Sequence, residues 1–308
     1  MSDRSILVVG GTGMIGSHIA RRLADRGDRV SIMSRSPASA DDPAAIAGIP
    51  RLVGDYSEGA EPRALEGFSD IVFAAGQDIR HIGVDVQDEA IWDRMQRVGV
   101  PAFAAGAKAR GVKRFVQLGS YYHHLRPEFA ETMPYVAARR DADARTRGLS
   151  DAGFAAMTLN PPSIVGTSGG RGLRGFARLI AWVRGELPTP PLSAPPGGTN
   201  YMSVRSLTQA TLGALDRGAA GTAYLVGDEN LTYQQYFQAL ATAAGSELVV
   251  DETDEDHPFQ PDRFIVQGRG RVIAYEPDPA EVALLGYDRR DVARALSEIV
   301  HRVDAAAR

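Results

Sequence analysis

A tyrosine and an arginine four residues apart form a pair suited to proton transfer. Tyr135 and Arg139 lie in the stretch MPYVAARRDAD, residues 133–143. On an α-helix, residues four apart differ by about 40° around the axis, so these side chains share one face, whereas Arg140 points elsewhere. A phenol, whose unperturbed pKa is near ~10, releases its proton more readily beside a cation. Taken alone, this spacing favours an ordinary helical pair, with the ring packed under the arginine stem; an acid–base group is predicted only together with the glycine-rich loop, the strands and Ser120 described below.

The stretch VVGGTGMIGSHIARRL has glycines spaced for phosphate binding. Gly10, Gly13 and Gly16 follow the apolar run SILVVG and lead into a predicted helix over 13–27. A strand, a glycine-rich turn and a helix start direct backbone N–H groups and the helix dipole at a pyrophosphate. The spacing therefore predicts dinucleotide binding, and the alternative is a tight turn that needs glycine only for its backbone geometry.

The end of the second predicted strand indicates which dinucleotide binds. NAD-binding proteins usually place an Asp or Glu about 20 residues past the glycines, where it holds the ribose 2′-OH. Here the strand over 29–34 ends in Ser34-Arg35-Ser36, without a carboxylate. A guanidinium pairs with a 2′-phosphate, which a carboxylate would repel. The sequence therefore predicts NADP(H), and the alternative is that Arg35 is a solvated loop residue in an arginine-rich chain.

Short β-branched segments alternate with helical stretches in the first half of the chain. Strands are predicted over 5–10, 29–34, 51–55, 70–76 and 113–120, a sixth strand running into a loop over 155–166, and helices over 13–27, 88–110 and 135–149. This alternation predicts an α/β fold with a doubly wound parallel sheet and helices on both faces. Pro101 is expected to kink or break the helix over 88–110.

The pattern is looser after residue 166. Helices are predicted over 172–186, 203–218, 232–245 and 289–304, a strand over 221–227, and a helix start at Asp278-Pro279. The stretch LPTPPLSAPPGG, residues 187–198, holds five prolines and is predicted to be a stiff loop rather than a ligand for a peptide-binding module. The acidic run 251–256 is predicted to be a solvated loop.

Composition excludes several classes of protein. The 308 residues carry a net charge of −4, so the basic footprint of a nucleic-acid-binding protein is missing. The absence of cysteine excludes disulfides and thiolate chemistry. The apolar run Ile6–Val9 is too short for a signal peptide, and no run reaches the ~18 residues of a membrane helix. We therefore expect a cytoplasmic protein without a membrane partner.

Together these stretches resemble the extended short-chain dehydrogenase/reductase family. The matching stretches are VVGGTGMIGSHIARRL, VGD before Tyr56, FAAG at 73–76, GVKRFVQLGS, PYVAARRDAD, NPPSIVG and YMSVRSLTQATLGAL. The resemblance runs from residue 6 to about residue 245. It implies a Rossmann domain for binding NADP(H), formed by residues 1–165 and 200–228, and a smaller substrate lobe, formed by 166–199 and 229–308.

The resemblance also implies a Ser–Tyr–Lys constellation. Ser120 matches the serine, Tyr135 matches the tyrosine, and Arg139 stands where the lysine would be. Asp55 is implied to contact the adenine, and Ala74 to Gly76 to lie along the cofactor. The predicted cofactor-binding residues are Gly10, Thr12, Gly13, Met14, Ile15, Gly16, Ser34, Arg35, Ser36, Asp55, Tyr56, Ala74, Ala75, Gly76, Pro161 and Ser163.

The stretch LNPPSIVG is most similar to the dihydroflavonol-reductase branch, which implies reduction of a ketone or aldehyde with NADPH. Tyr135 would donate the proton and Ser120 would hold the carbonyl oxygen. Arg139 supplies charge but does not release its proton, so water or the ribose hydroxyl must recharge Tyr135. The alternatives are an epimerase or dehydratase, a hydroxysteroid-type dehydrogenase, or a non-catalytic NADP-binding sensor.

A few residues remain as expectations outside this constellation. Tyr122, His123 and Phe176 are candidates for the pocket of a small carbonyl substrate, and core packing is the alternative for Phe176. No metal site is predicted from the sequence, because adjacent histidines rarely chelate one metal from a regular element and the sequence shows no third ligand beside His123 and His124. The helices over 88–110 and 135–149 are candidates for a homodimer interface.

Overall fold

The apolar segments of the sequence form strands in the computed structural model of the chain. The structure describes residues 4–58, 62–76, 88–168, 170–187 and 189–307. Its strands are β1 (Ser5–Val9), β2 (Arg29–Ser34), β3 (Arg51–Val53), β4 (Asp70–Phe73), β5 (Arg114–Leu118), β6 (Ala155–Leu159), β7 (Ser163–Val165), β8 (Ser193–Ala194), β9 (Gly198–Ser203), β10 (Ala223–Tyr224), β11 (Glu229–Thr232), β12 (Asp251–Glu252) and β13 (Val272–Ile273). Its α-helices are α1 (Met14–Asp25), α2 (Glu89–Trp92), α3 (Gly99–Ala109), α4 (Tyr122–Leu125), α5 (Phe129–Thr132), α6 (Pro134–Arg147), α7 (Gly170–Val183), α8 (Val204–Arg217), α9 (Tyr233–Ala243), α10 (Pro279–Leu285) and α11 (Val292–Ala306).

These elements group into two compact units. The first unit comprises Met1–Pro161, Leu207–Val226 and Asp278–Tyr287. The second unit comprises Pro162–Ser206, Gly227–Pro277 and Asp288–Arg308. Each unit therefore collects segments that are far apart in the sequence.

The first unit contains the predicted parallel sheet. Seven strands of the described residues pair in parallel, in the order β10-β6-β5-β4-β1-β2-β3. β1 is fully covered, with Ile6, Leu7 and Val8 at 0% exposure, as expected of a strand buried on both faces. The strand order reverses between β1 and β4, and in such sheets ligands bind beyond the carboxyl ends of the strands at that point. The fold class is the predicted Rossmann type.

The predicted helix over 88–110 has an irregular middle. A π-helical segment, Asp93–Val98, separates α2 from α3. Pro101 has no N–H to donate to the carbonyl of Arg97. That carbonyl instead accepts a hydrogen bond from Nη1 of Arg145 on α6, at 3.2 Å. The irregularity therefore lies N-terminal to the proline, in the turn that the missing donor would have closed.

The second unit has a sheet that the sequence patterns do not predict. β9 pairs antiparallel with β11 and parallel with β7 and β13. The sixth predicted strand, β6, ends at Leu159 before Pro161 and Pro162, and the loop expected after it instead contains a further strand, β7. The prediction that the proline-rich stretch and the acidic run are wholly irregular is wrong in one detail, since β8 and β12 pair in parallel.

The core of the second unit packs α7, α9 and α11 together. Ile180 and Trp182 on α7 are buried in it, and the Trp182 ring meets the Phe237 ring at a centroid distance of 5.3 Å. Phe176 is half-buried against the same cluster. None of the helices in the described part of the chain has the length and apolar character needed to cross a bilayer.

Candidate active site

The glycine-rich loop between β1 and α1 is closely packed on the segment that follows β4. Gly10 has a φ of +80°, and a Cβ there would lie 2.8 Å from the backbone of Ala75. A Cβ on Gly16 would lie 2.3 Å from the Gly10 carbonyl oxygen. The loop therefore needs glycine both for its backbone conformation and for this close approach.

The outer side of this loop is open to a ligand. Gly13 is the N-cap of α1, with no side chain to satisfy the first N–H groups of the helix. Gly13 is exposed, and Thr12, Met14 and Ile15 are half-buried. The first turn of α1 contains no acidic residue that would repel an anion. These residues fit the pyrophosphate of a dinucleotide.

Replacing Gly10 with alanine is expected to destabilise the protein more than the same change at Gly27. Gly27 also has a positive φ, +91°, but a Cβ there meets nothing within 4 Å. Gly27→Ala should lower the free energy of unfolding only by the cost of a non-glycine residue in a left-handed backbone conformation, about 1–2 kcal/mol. Gly10→Ala adds the collision with Ala75, worth about a further 1–3 kcal/mol by analogy with overpacking. Urea unfolding without cofactor measures both, and equal losses would contradict the close packing.

The residues predicted to select the cofactor lie at the end of β2. Arg35 is exposed, whereas the Ser34 hydroxyl is buried and donates to the Ser36 carbonyl at 2.8 Å. The same carbonyl accepts a hydrogen bond from Arg51 Nη1 at 3.2 Å, and Arg51 also pairs with Asp42. This region thus presents one exposed guanidinium, Arg35, beside a second that is held by a carboxylate.

The next predicted residues follow β3. Asp55 turns its Oδ1 towards the backbone N–H and hydroxyl of Ser57, at 2.9 and 2.8 Å. Tyr56 is buried, its hydroxyl donates to the Met95 carbonyl at 2.8 Å, and burial raises its pKa. Its ring meets Phe73 edge-on at 4.8 Å. Tyr56 therefore packs in the core of the first unit, and its predicted contact with the cofactor stays a prediction.

Tyr135 and Arg139 are brought together on α6 as helical phase predicts. Both are buried, at 5% and 6% exposure. The Arg139 guanidinium carbon lies 5.4 Å from the centre of the Tyr135 ring. The Tyr135 ring also contacts the Trp92 ring, with a centroid distance of 4.9 Å. A buried cation therefore lies over the Tyr135 ring, a geometry that fits an acid–base tyrosine and an ordinary helical pair alike, so the catalytic role of the pair stays a prediction.

Arg139 also reaches the carboxyl ends of two strands. Its Nη1 donates to the Gly119 carbonyl after β5, at 3.1 Å. A Cβ on Gly76, after β4, would lie 3.1 Å from Arg139 Nη2. Gly76 and the half-buried Ala74 and Ala75 thus lie at the same edge of the sheet as the arginine.

The predicted catalytic serine is held by an amide that sequence reasoning missed. Ser120 is buried, and its backbone N–H donates to Oδ1 of Asn160 at 3.1 Å. The same oxygen would lie 2.1 Å from a Cβ on Gly119, so only glycine fits there. Asn160 Nδ2 contacts Thr158 Oγ1 at 3.2 Å and Asp143 Oδ1 at 3.4 Å. The sequence signal that could have identified Asn160 is its position between the end of β6 and Pro161.

The remaining predicted residues are divided between the units. In the first unit, the Tyr122 ring lies 6.5 Å from the Tyr135 ring, and His123 and Pro161 are buried. Ser163, on β7, and Phe176, on α7, belong to the second unit. Their cofactor and substrate roles stay predictions.

Comparison with known proteins identifies the chain's relatives. The family model described as "NAD dependent epimerase/dehydratase family" matches residues 6–227. No curated protein sequence matches the chain. Among solved structures, a protein described as gox2253 is 20% identical, with a TM-score of 0.73 over 99% of each chain.

Two sugar-nucleotide epimerases are among the similar structures. UDP-glucose 4-epimerase from Thermotoga maritima, solved with UDP-glucose, is 17% identical over 99% of this chain and 100% of its own, with a TM-score of 0.73. UDP-glucuronic acid 4-epimerase from Bacillus cereus, solved with NAD, is 13% identical over the same shares, also with a TM-score of 0.73. At these identities the likeness establishes the fold.

Proposed function

The chain belongs to the NAD-dependent epimerase/dehydratase family, and we propose that it epimerises or dehydrates a small hydroxylated substrate of the sugar-nucleotide kind. It is an NAD(P)-dependent enzyme of the extended short-chain dehydrogenase/reductase type. The first unit would bind the dinucleotide through its glycine-rich loop, and the second would recognise the substrate. The nicotinamide supplies the hydride acceptor and donor when bound.

The observation that carries this proposal is Arg139, buried against Tyr135. Guanidinium groups hold their protons, so Arg139 stabilises a phenolate but passes no proton to solvent. A reductase consumes a proton in every turnover and must restore it to the tyrosine. In an epimerisation, Tyr135 takes the proton of a substrate hydroxyl and returns it to the same oxygen. The cycle is closed, and a cation that does not release its proton suffices.

The other residues of the site have matching roles. The Ser120 hydroxyl would hold the reacting oxygen next to Tyr135. Asn160 fixes the backbone of Ser120, because its amide accepts the serine N–H. The glycine-rich loop and the start of α1 would hold the pyrophosphate. Each of these groups would bind the cofactor or position the reacting groups, and only Tyr135 would exchange a proton with the substrate.

The experiment follows sugar isomers and cofactor in the same sample. The protein, loaded with NAD⁺ or NADP⁺, is incubated with UDP-glucose, UDP-N-acetylglucosamine or UDP-glucuronic acid. The expected result is a 4-epimer or a dehydrated sugar, identified by NMR, without net production of reduced cofactor. Stoichiometric consumption of NADPH on a panel of ketones and aldehydes, with no sugar product, would contradict the proposal. Tight cofactor binding without any turnover would instead identify the non-catalytic sensor.

A second candidate, an NADPH-dependent ketone or aldehyde reductase, is favoured by Arg35. The exposed guanidinium stands at the end of β2, where an NAD-selective protein would carry a carboxylate. Under this function Tyr135 would donate a proton in each turnover and recover it from water or the ribose hydroxyl. The cofactor balance in the preceding experiment separates the two functions.

Cofactor preference is expected to depend on Arg35 under either function. Arg35→Asp removes the charge that would pair with a 2′-phosphate and adds a repulsive one. Affinity for NADPH should fall by at least about tenfold more than affinity for NADH, since losing a charge-assisted hydrogen bond costs about 1.5–3 kcal/mol. Calorimetric titration with both cofactors measures this, and Arg29→Asp, an exposed arginine at the other end of β2, is the matched control. Equal losses for both cofactors would contradict NADP(H) selection.

Location and assembly follow as further expectations. We expect the protein in the cytoplasm and, through the helices over 88–110 and 135–149, as a homodimer. Sedimentation equilibrium tests the assembly, and a monomer at all concentrations would contradict it.

A further inference from the structure

Two adjacent histidines and a buried carboxylate meet in the first unit. His123 and His124 lie on the short helix α4, and Asp143 lies twenty residues later on α6. The Nε2 atoms of His123 and His124 are 3.7 and 4.0 Å from Asp143 Oδ2. One ligand atom from each residue lies within 4.8 Å of the other two. Ligands around a tetrahedral zinc ion are about 3.4 Å apart, so small side-chain movements would suffice.

The hydrogen bonding of His123 points to a ligand. The residue is 8% exposed, and its side chain is only 4% exposed. Within the described residues, neither Nδ1 nor Nε2 of His123 makes a hydrogen bond. Buried polar atoms are normally satisfied, and each exception requires an explanation. A metal ion coordinated by Nε2 would satisfy one of the two nitrogens.

The cluster can be reached from solvent. The His124 side chain is 25% exposed and offers an entry path.

Arg147 sets a limit on the affinity. Its Nη2 and Nε donate to Asp143 Oδ2, at 2.7 and 3.2 Å, and its charge opposes a cation at the same oxygen. The Arg147 side chain is 25% exposed, and its Nη1 also donates to the Gly221 carbonyl at 3.0 Å, so a bound cation has to compete with this arginine for Asp143. Thr158 and Asn160 contact the other carboxylate oxygen, Oδ1, and would keep Asp143 in place.

From this geometry we propose that His123 Nε2, His124 Nε2 and Asp143 Oδ2 bind one divalent transition-metal ion of the zinc class, with water completing the coordination. Imidazole and carboxylate are ligands that such ions accept together. Neither Tyr135 nor Arg139 is among its ligands. Asn160 connects it to Ser120, since its amide contacts Asp143 and accepts the Ser120 N–H.

The test is calorimetric titration of the full chain, free of any affinity tag, with ZnCl₂, repeated with CoCl₂ under visible absorption. We expect one Zn²⁺ per chain and a Co²⁺ spectrum that Zn²⁺ displaces. His124→Ala should weaken binding by more than about tenfold, because losing even a second-shell partner costs about 10–100-fold. Arg147→Gln should tighten binding several-fold, which a surface histidine that binds metal by chance would not do. His301→Ala, which changes an exposed histidine on α11, should have no effect.

Far-UV circular dichroism and thermal unfolding verify that each variant is folded. Asp143→Asn keeps the shape of the side chain and supplies a second ligand variant, with the same expected loss. Absence of Zn²⁺ binding in the unmodified protein would overturn the proposal. Binding that survives both His124→Ala and Asp143→Asn, or that is lost in His301→Ala, would overturn it as well.

Discussion

Tyr135→Phe is expected to lower turnover by about 10²–10⁴-fold, the usual contribution of a general acid or base, while the dissociation constant of the cofactor stays the same. The change removes the phenolic oxygen and keeps the ring. The ring contacts with Trp92, at 4.9 Å, and with the Arg139 guanidinium, at 5.4 Å, therefore persist. Steady-state rates with the substrate that the incubation with sugar nucleotides identifies, together with calorimetric cofactor titration, measure the two effects separately.

The matched control is Tyr224→Phe. Tyr224 is a buried tyrosine of the same unit whose hydroxyl accepts the Ala219 N–H at 2.8 Å, outside the site. Losing that hydrogen bond should cost about 0.5–1.5 kcal/mol of stability and leave turnover unchanged. Turnover that survives Tyr135→Phe, or that falls equally in both variants, would remove Tyr135 from the mechanism.

The first unit was predictable because its signals are local. Buried parallel strands are continuous apolar runs, and β1 and β2 begin where those runs begin. The glycine spacing predicted the turn at Gly10, where the loop meets Ala75. The helical phase alone predicted that Tyr135 and Arg139 share one face of α6 and that Arg140 lies on another. The Arg140 side chain is 48% exposed and forms an ion pair with Asp141.

The second unit was less predictable because its strands are short and their partners distant. β8 and β12 have two residues each and pair across more than fifty positions of sequence. β9 reads as a polar segment, GTNYMS, although all six residues are buried between neighbours on both sides. No periodicity marks such a strand, since its burial is decided by tertiary contacts.

The network behind the site also escaped prediction, for a related reason. Asn160, Asp143 and Ser120 are separated by about twenty residues each, and only the fold brings their polar atoms together. Residues that act on a substrate can be recognised from a sequence motif when they lie on one helix or strand, because the geometry of that element fixes their spacing. The groups that hold them come from neighbouring elements: Asn160, just after β6, holds the backbone of Ser120, just after β5.

The cation at position 139 decides between the two candidate functions. For an epimerase, Arg139→Lys is expected to change turnover by less than about tenfold, because a lysine keeps the charge beside Tyr135 and the proton never leaves the substrate–tyrosine pair. For a reductase, the lysine would open a route for protons to solvent and raise turnover. Rates of the variant and the unmodified protein, measured in H₂O and D₂O, distinguish these outcomes.

Arg139→Met, which removes the charge but retains an apolar stem, should lower turnover by about 10²-fold under either function, because the phenolate loses its stabilising cation. Arg140→Met is the matched control on the exposed face of α6 and should have no effect on turnover. Because Arg139 also donates to the Gly119 carbonyl, thermal unfolding must accompany the rates. A Met variant as active as the unmodified protein would show that Tyr135 needs no cation. The buried guanidinium would then serve only to join α6 to the ends of β4 and β5.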